Sequence, residues 1–261
     1  MKLHHTRKGA GEPLLLIHGL GGSWRTWTPI LDDLAAEREV IAVDLPGHGE
    51  TPPLTGESSI DTLAAAVTSF LDDNDLDGVD VVGNSMGARL VLELARRGAV
   101  GDTVALDPGG FWAGWERYFF NATLAPSIRL VRLLQPVMDR LMGSGLGRTL
   151  LLLQLSARPW DLSAEVTREE MRTFADSPSF DELLSRLAFG PSQPGTDTTP
   201  GAVVIGWGRM DRVTLPRQAE RAMEKFPEAE LHRFENSGHY PLWDEPEETV
   251  ELILSRTATT D

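Results

Sequence analysis

The chain has 261 residues, with 39 Asp and Glu against 24 Lys and Arg, and so a formal charge of −15. A surface of that sign repels phosphate backbones, which argues against nucleic acid as a partner and, more weakly, against an anionic membrane. The chain contains no cysteine, so it has no disulfide framework, thiolate metal site or cysteine nucleophile.

The opening MKLHHTRKGAGEP has no apolar run of signal-peptide length. The most apolar windows, LLLI at 14–17 and TLLLLQL at 149–155, fall far short of the roughly 20 residues that span a bilayer. The expectation is a soluble, cytoplasmic protein. PLLLIHG (13–19) reads as a buried strand, and EVIAVDLPG (39–47) as the next, stopped by Pro46 and Gly47. From Ser58 to Leu71 the period is helical, with Ile60, Leu63, Ala64, Val67 and Leu71 on one face and Ser58 or Ser59 as the cap. VDVVGNS (79–85) is a strong strand. Met86 to Arg97 is a helix ended by Gly98, and TVALDP (103–108) is another strand.

From Gly109 to Gly195 no buried strand is evident; aromatic, Leu-rich and Arg-rich helical stretches fill the interval. The strand rhythm returns with AVVIGWG (202–208) and ELHRFEN (230–236). Helices are expected over Pro216–Phe226 and Glu247–Leu254. The pattern predicts an α/β fold with a mostly parallel sheet, in which residues 1–108 and 196–261 form the core and 109–195 an inserted helical cap. A structureless loop of that length would be improbable.

The sharpest chemical signal is Gly83-Asn84-Ser85-Met86-Gly87, directly after a strand and directly before a helix. A serine on that tight turn presents its hydroxyl above the sheet, and the turn demands small neighbours, here Gly83 and Gly87. A serine hydroxyl needs a base, and the base an orienting acid. Of the six histidines, His239 lies on a loop after the last strand, at the sheet edge where ligands collect in open α/β folds. His232 lies within that strand, His48 organises a loop, and His4 and His5 lack spaced metal partners. Two acids follow strands: Asp211 in GRMD is preferred, with Asp107 in ALDP as its competitor. In His18-Gly19-Leu20-Gly21-Gly22 the glycines allow close backbone approach to a ligand. The N–H groups of Leu20 and Met86 are the natural pair of oxyanion donors.

HGLGG at 18–22, DLPGHG at 44–49, GNSMG at 83–87, GRMD at 208–211 and SGH at 237–239, in this order, resemble the α/β-hydrolase superfamily over nearly the whole chain. The resemblance implies a doubly wound, mostly parallel sheet with a lid inserted after the sixth strand, and a triad of Ser85, Asp211 and His239. With only about a dozen residues before the first strong strand, the family's opening hairpin is expected to be shortened or absent.

Superfamily members with an aspartate nucleophile, such as haloalkane dehalogenases and epoxide hydrolases, are disfavoured by Ser85. The serine points to hydrolysis of a small ester-like substrate, without metal or organic cofactor. Alternatives are carbon–carbon hydrolysis of the meta-cleavage type, whose elbow GNSMG resembles, a cofactor-free perhydrolase or haloperoxidase, and a hydrolase-like ligand receptor. Trp112, with Trp24 and Trp27, is a candidate pocket residue, and the leucines of 109–195 suggest an apolar substrate. Arg129, Arg132, Arg140, Arg148 and Arg158 could meet a carboxylate, though such residues more often form solvated helix faces.

Overall fold

Strands that are apolar at nearly every position can only sit where both faces are covered. The computed structural model, which describes residues 2–257, places them so. The strands are β1 (His5–Lys8), β2 (Pro13–Ile17), β3 (Glu39–Val43), β4 (Asp80–Asn84), β5 (Thr103–Leu106), β6 (Val203–Gly208) and β7 (Glu230–Phe234). They form one seven-stranded sheet in the order β1-β3-β2-β4-β5-β6-β7. All neighbouring pairs are parallel except β1 with β3. β5 and β6 are buried throughout, and β2, β3 and β4 at all but their first residue.

Before β2 the described residues hold one strand, β1. Its sequence, HTRK, carries no apolar signal, and it is fixed instead by antiparallel pairing of His5 with Val43 at the sheet edge. Counted along the described residues, the long insertion follows the fifth strand rather than the sixth.

The chain steps from β2 to β3 in one direction across the sheet, then from β3 to β4 in the other. Right-handed crossovers in opposite senses put helices on opposite faces. Thus α1 (Thr28–Ala35), between β2 and β3, packs with the last helix, and α2 (Ile60–Asp73) packs with α3 (Met86–Arg96). The sheet is therefore doubly wound, and its switch point lies between the adjacent strands β2 and β4. Local chemistry sets the helix ends. Ser59 and Thr62 form a reciprocal capping box at the start of α2, and Gly98 takes the left-handed conformation (φ 75°) that stops α3.

Between β5 and β6 run α4 (Glu116–Leu134), α5 (Met138–Met142), α6 (Gly145–Leu152), α7 (Ala164–Asp176) and α8 (Phe180–Phe189). Their apolar residues join the sheet's core: Phe174 and Phe180 sit over Gly21, and Trp112 just before α4 donates its indole N–H to Leu187 O at 3.1 Å. The block therefore lies over the loops at the C-terminal ends of the strands. After β6 come α9 (Gln218–Lys225), α10 (Pro241–Asp244) and α11 (Pro246–Arg256). Pro216 precedes α9 by two residues rather than opening it. Among the described residues no helix is long and apolar enough to cross a membrane.

Candidate active site

Each predicted catalytic residue stands just beyond a different strand. Ser85 follows β4, and the strand-to-helix turn is so tight that its φ is +58°, in the left-handed region where a non-glycine residue is uncommon. The glycines around it have no space for a side chain. A Cβ on Gly83 would lie 2.3 Å from Gly87 O, and one on Gly87 would lie 2.1 Å from Ile17 O.

His239 follows β7. Its Nε2 is 2.8 Å from Ser85 Oγ, and its Nδ1 is 2.8 Å from Asp211 Oδ2, in the loop after β6. Asp211 accepts hydrogen bonds only, so Nδ1 carries the ring proton and Nε2 accepts from the serine hydroxyl. Asp211 is buried, and its Oδ1 accepts from the N–H groups of Val213 and Thr214 at 2.7 and 3.1 Å. The Thr214 hydroxyl donates to Asp211 Oδ2 at 2.6 Å. Asp211 thus has four donors around its carboxylate.

Leu20 and Met86 both face the space in front of Ser85. The turn from Gly19 to Gly22 is closed by Gly22 N–H donating to Gly19 O at 3.2 Å. Leu20 N–H in that turn, and Met86 N–H at the first position of α3, have no acceptor among the described residues. Two such donors near a helix N-terminus suit a developing negative charge.

The pocket reaching Ser85 and His239 is lined mainly by Trp112 and by apolar residues of α4, α6, α7 and α8, among them Phe120, Ile128 and Met171. It encloses ≈ 790 Å³, open mouth included. Its polar lining beyond the triad comes from Ser127, Gln154, Thr214 and Tyr240, and among the described residues no Lys, Arg, Asp or Glu lines it. Trp112 is in the wall. Trp24 and Trp27 are not. The Ser23-capped 3₁₀ turn they occupy sends Trp27 fully into the core, while Trp24 packs under the Arg25 guanidinium and its backbone N–H is held by Asp44. The block's arginines also miss the pocket. Arg132 pairs with Asp181, Arg148 donates to the carbonyls of Met142, Pro159 and Trp160, and Arg158 donates to Asp244 O.

Several supporting residues are not marked in the sequence. Thr214 braces the acid as described. Asn84 Nδ2 donates to His239 O at 3.1 Å, joining the serine turn to the histidine loop. His239 N–H donates to Leu155 O at 2.7 Å, and Asp244 accepts from Ser156, Ala157 and Gly238. The inserted helices and the histidine loop are therefore one hydrogen-bonded unit. Short D-x-x-T spacing at 211–214 is the only local cue to any of these.

The remaining histidines are structural. His18 donates from Nδ1 to Gly19 O and accepts Leu45 N–H on Nε2, tying the glycine turn to the DLPGHG loop. His48 packs against it at 5.1 Å, and burial together with His18 lowers its pKa to about 3. His232 pairs with Glu248. Asp107, the competing acid, is fully buried beside Asp211, with one donor atom each from Asp107, Asp211 and His239 lying within 4.8 Å of one another. Asp211 accepts from four donors and both ring nitrogens of His239 are hydrogen-bonded, so the cluster is built as a hydrogen-bond network rather than as a metal site, with Asp107 Oδ2 left unpaired among the described residues.

Residues 14–252 match a family model described as "Alpha/beta hydrolase family". A curated relative, 2-hydroxy-6-oxononadienedioate/2-hydroxy-6-oxononatrienedioate hydrolase 2 of Pseudomonas putida, is 28% identical across 97% of this chain and 91% of its own. Two solved structures share the fold. A thermophilic esterase from Thermogutta terrifontis has a TM-score of 0.75 at 19% identity, covering 98% of this chain and 94% of its own. A meta-cleavage product hydrolase from Pseudomonas fluorescens IP01 has a TM-score of 0.75 at 22% identity, covering 97% and 93%.

Proposed function

Because the chain belongs to the alpha/beta hydrolase family, we propose that it is a serine hydrolase that cleaves a carboxylic ester of a small, uncharged, largely apolar substrate. Ser85 is the nucleophile, His239 the general base and acid, and Asp211 the group that holds the imidazole in its tautomer and offsets the imidazolium charge. The observation that carries the reading is a Ser85–His239–Asp211 chain with both links at 2.8 Å, opening into a pocket that among the described residues has no charged wall residue.

In the acylation step Ser85 Oγ attacks the ester carbonyl as its proton passes to His239 Nε2. The N–H groups of Leu20 and Met86 receive the oxyanion, and loss of one such donor typically costs about 10²–10³ in turnover. The protonated His239 then delivers its proton to the departing alkoxide. Water, deprotonated by the same nitrogen, releases the acid from Ser85. Helices α4–α8 act as a cap that supplies the apolar binding surface and shields the acyl-enzyme from bulk water.

Carbon–carbon hydrolysis is the second reading, favoured by the named activity of the Pseudomonas putida relative. That name describes a dicarboxylate substrate, and burying a carboxylate in a pocket without a cation is costly. The wall composition therefore supports a neutral ester. The deciding experiment compares neutral p-nitrophenyl esters with a vinylogous diketone acid of the meta-cleavage type. The ester reading expects kcat/KM for the ester to exceed that for the acid by about 10²-fold or more; the reverse order would replace it with the second reading.

A further inference from the structure

Asp107 is a carboxyl group the mechanism above does not use. It directly follows β5 with φ +50°, in a region that only Asp75 and Ser85 share among the described non-glycine residues. It is fully buried. Its Oδ1 accepts from Gly208 N–H at 2.9 Å, while its Oδ2 is buried with no hydrogen-bond partner among the described residues. Two carboxylates this close in a dry interior do not both ionise. The count of donors decides which one keeps the charge. Asp211 has four, and Asp107 has one, so Asp211 is the anion.

We propose that Asp107 is a positioning residue that carries a proton on Oδ2 and directs it toward Asp211, so that the pair holds one negative charge against His239. The inference rests on the triad reading and extends it to a fourth member. Burial first, and then the adjacent charge of Asp211, push the Asp107 carboxyl well above the ordinary range, with Asp244 adding in the same direction. The groups that face Asp107 are thus Asp211 on the loop after β6, His239 on the loop after β7, and Asp244 on α10. The nearby arginines turn elsewhere: Arg209 to Glu235, and Arg212 to the carbonyls of Leu153 and Ser156.

The test is the pH profile of kcat/KM for a p-nitrophenyl ester in three variants. Asp107→Asn keeps both contacts, since its amide oxygen can accept from Gly208 N–H and its NH₂ can donate toward Asp211. If Asp107 is neutral, the acid limb of the profile stays within about 0.3 pH unit of wild type. Asp107→Gly tolerates the backbone conformation but removes the donor. Asp211 then bears its charge unrelieved and the acid limb rises by about half a unit. If Asp107 is instead ionised, both variants delete a negative charge a few ångströms from His239, and both limbs fall by about a unit or more. A fall in Asp107→Asn overturns the inference, and this variant decides the matter even where the glycine variant fails to fold. Ser85→Ala is run alongside. Turnover lost there with a shifted Asp107→Asn profile overturns only the role of Asp107, whereas turnover kept in Ser85→Ala overturns the triad as well.

Discussion

Glu170 on α7 is 1% exposed, and among the described residues its carboxyl accepts a hydrogen bond only from the hydroxyl of Thr26, at 2.9 and 3.0 Å, across the boundary between the inserted helices and the core. Burial outweighs that hydrogen bond, and with help from Glu169 it raises the Glu170 pKa from 4.5 to about 8. Between those values the folded chain holds one proton more than the unfolded chain. Folding is then weakened as pH rises, by about 1.4 kcal/mol per unit. Over the window from 4.5 to 8 the cost reaches about 5 kcal/mol, fully incurred above pH 8 and absent below 4.5. Glu170→Gln keeps an oxygen for the Thr26 hydroxyl and cannot ionise. Thermal unfolding followed at pH 5 and pH 8.5 is the assay. The variant should match wild type at pH 5 and exceed it at pH 8.5 by about 10 °C or more, since 1 kcal/mol moves a chain of this size by about 2–4 °C. Parallel pH profiles for the two proteins, or a variant less stable at both pH values, would refute the reasoning.

The remaining predictions concern the elbow, the acid, the histidine pair and the pocket. Gly87→Ala drives a Cβ to 2.1 Å from the Ile17 carbonyl, so it should cost about 3 kcal/mol in chemical denaturation and lower kcat about 10²-fold by displacing Ser85. Asp211→Asn should lose about 10⁴ in kcat with little change in KM, measured on any turned-over ester; a comparable loss in Asp107→Asn instead would exchange the two acids. His48, held neutral down to about pH 3, takes up a proton on unfolding, so stability falls as pH drops from about 6.5 toward 3. His48→Phe should flatten that acid limb in a pH series of denaturant melts. Val131→Trp fills the pocket, and should cut kcat/KM for a C8 ester about tenfold or more while leaving the C2 ester within about threefold.

The parts of the site that rest on local grammar were legible in the sequence. A buried strand, a glycine–serine–glycine turn and an amphipathic helix in succession admit few geometries, and Ser85 stands where that grammar places it. His239 and the glycine turn at 19–22 follow from strand ends in the same way. What depends on side-chain direction was not legible. Trp24 and Trp27 lie three residues apart beside the oxyanion turn, yet a 3₁₀ turn rotates Trp27 into the core and Trp24 onto Arg25. Asp107 and Asp211 both follow strands, and which of them meets His239 Nδ1 depends on side-chain direction. β1 was not visible because HTRK is polar, and its pairing comes from β3. Thr214, Asn84 and Asp244 act through contacts with distant segments, which no periodicity records.

The central claim is a covalent acyl-enzyme on Ser85. It is tested most directly by hydrolysis of p-nitrophenyl esters from C2 to C12 by wild type and Ser85→Ala side by side. The account predicts many turnovers per chain in wild type, none above background in Ser85→Ala, and an unchanged thermal transition in the variant. Equal turnover in Ser85→Ala, or a wild type that traps at most one acyl group per chain and goes no further, would contradict it.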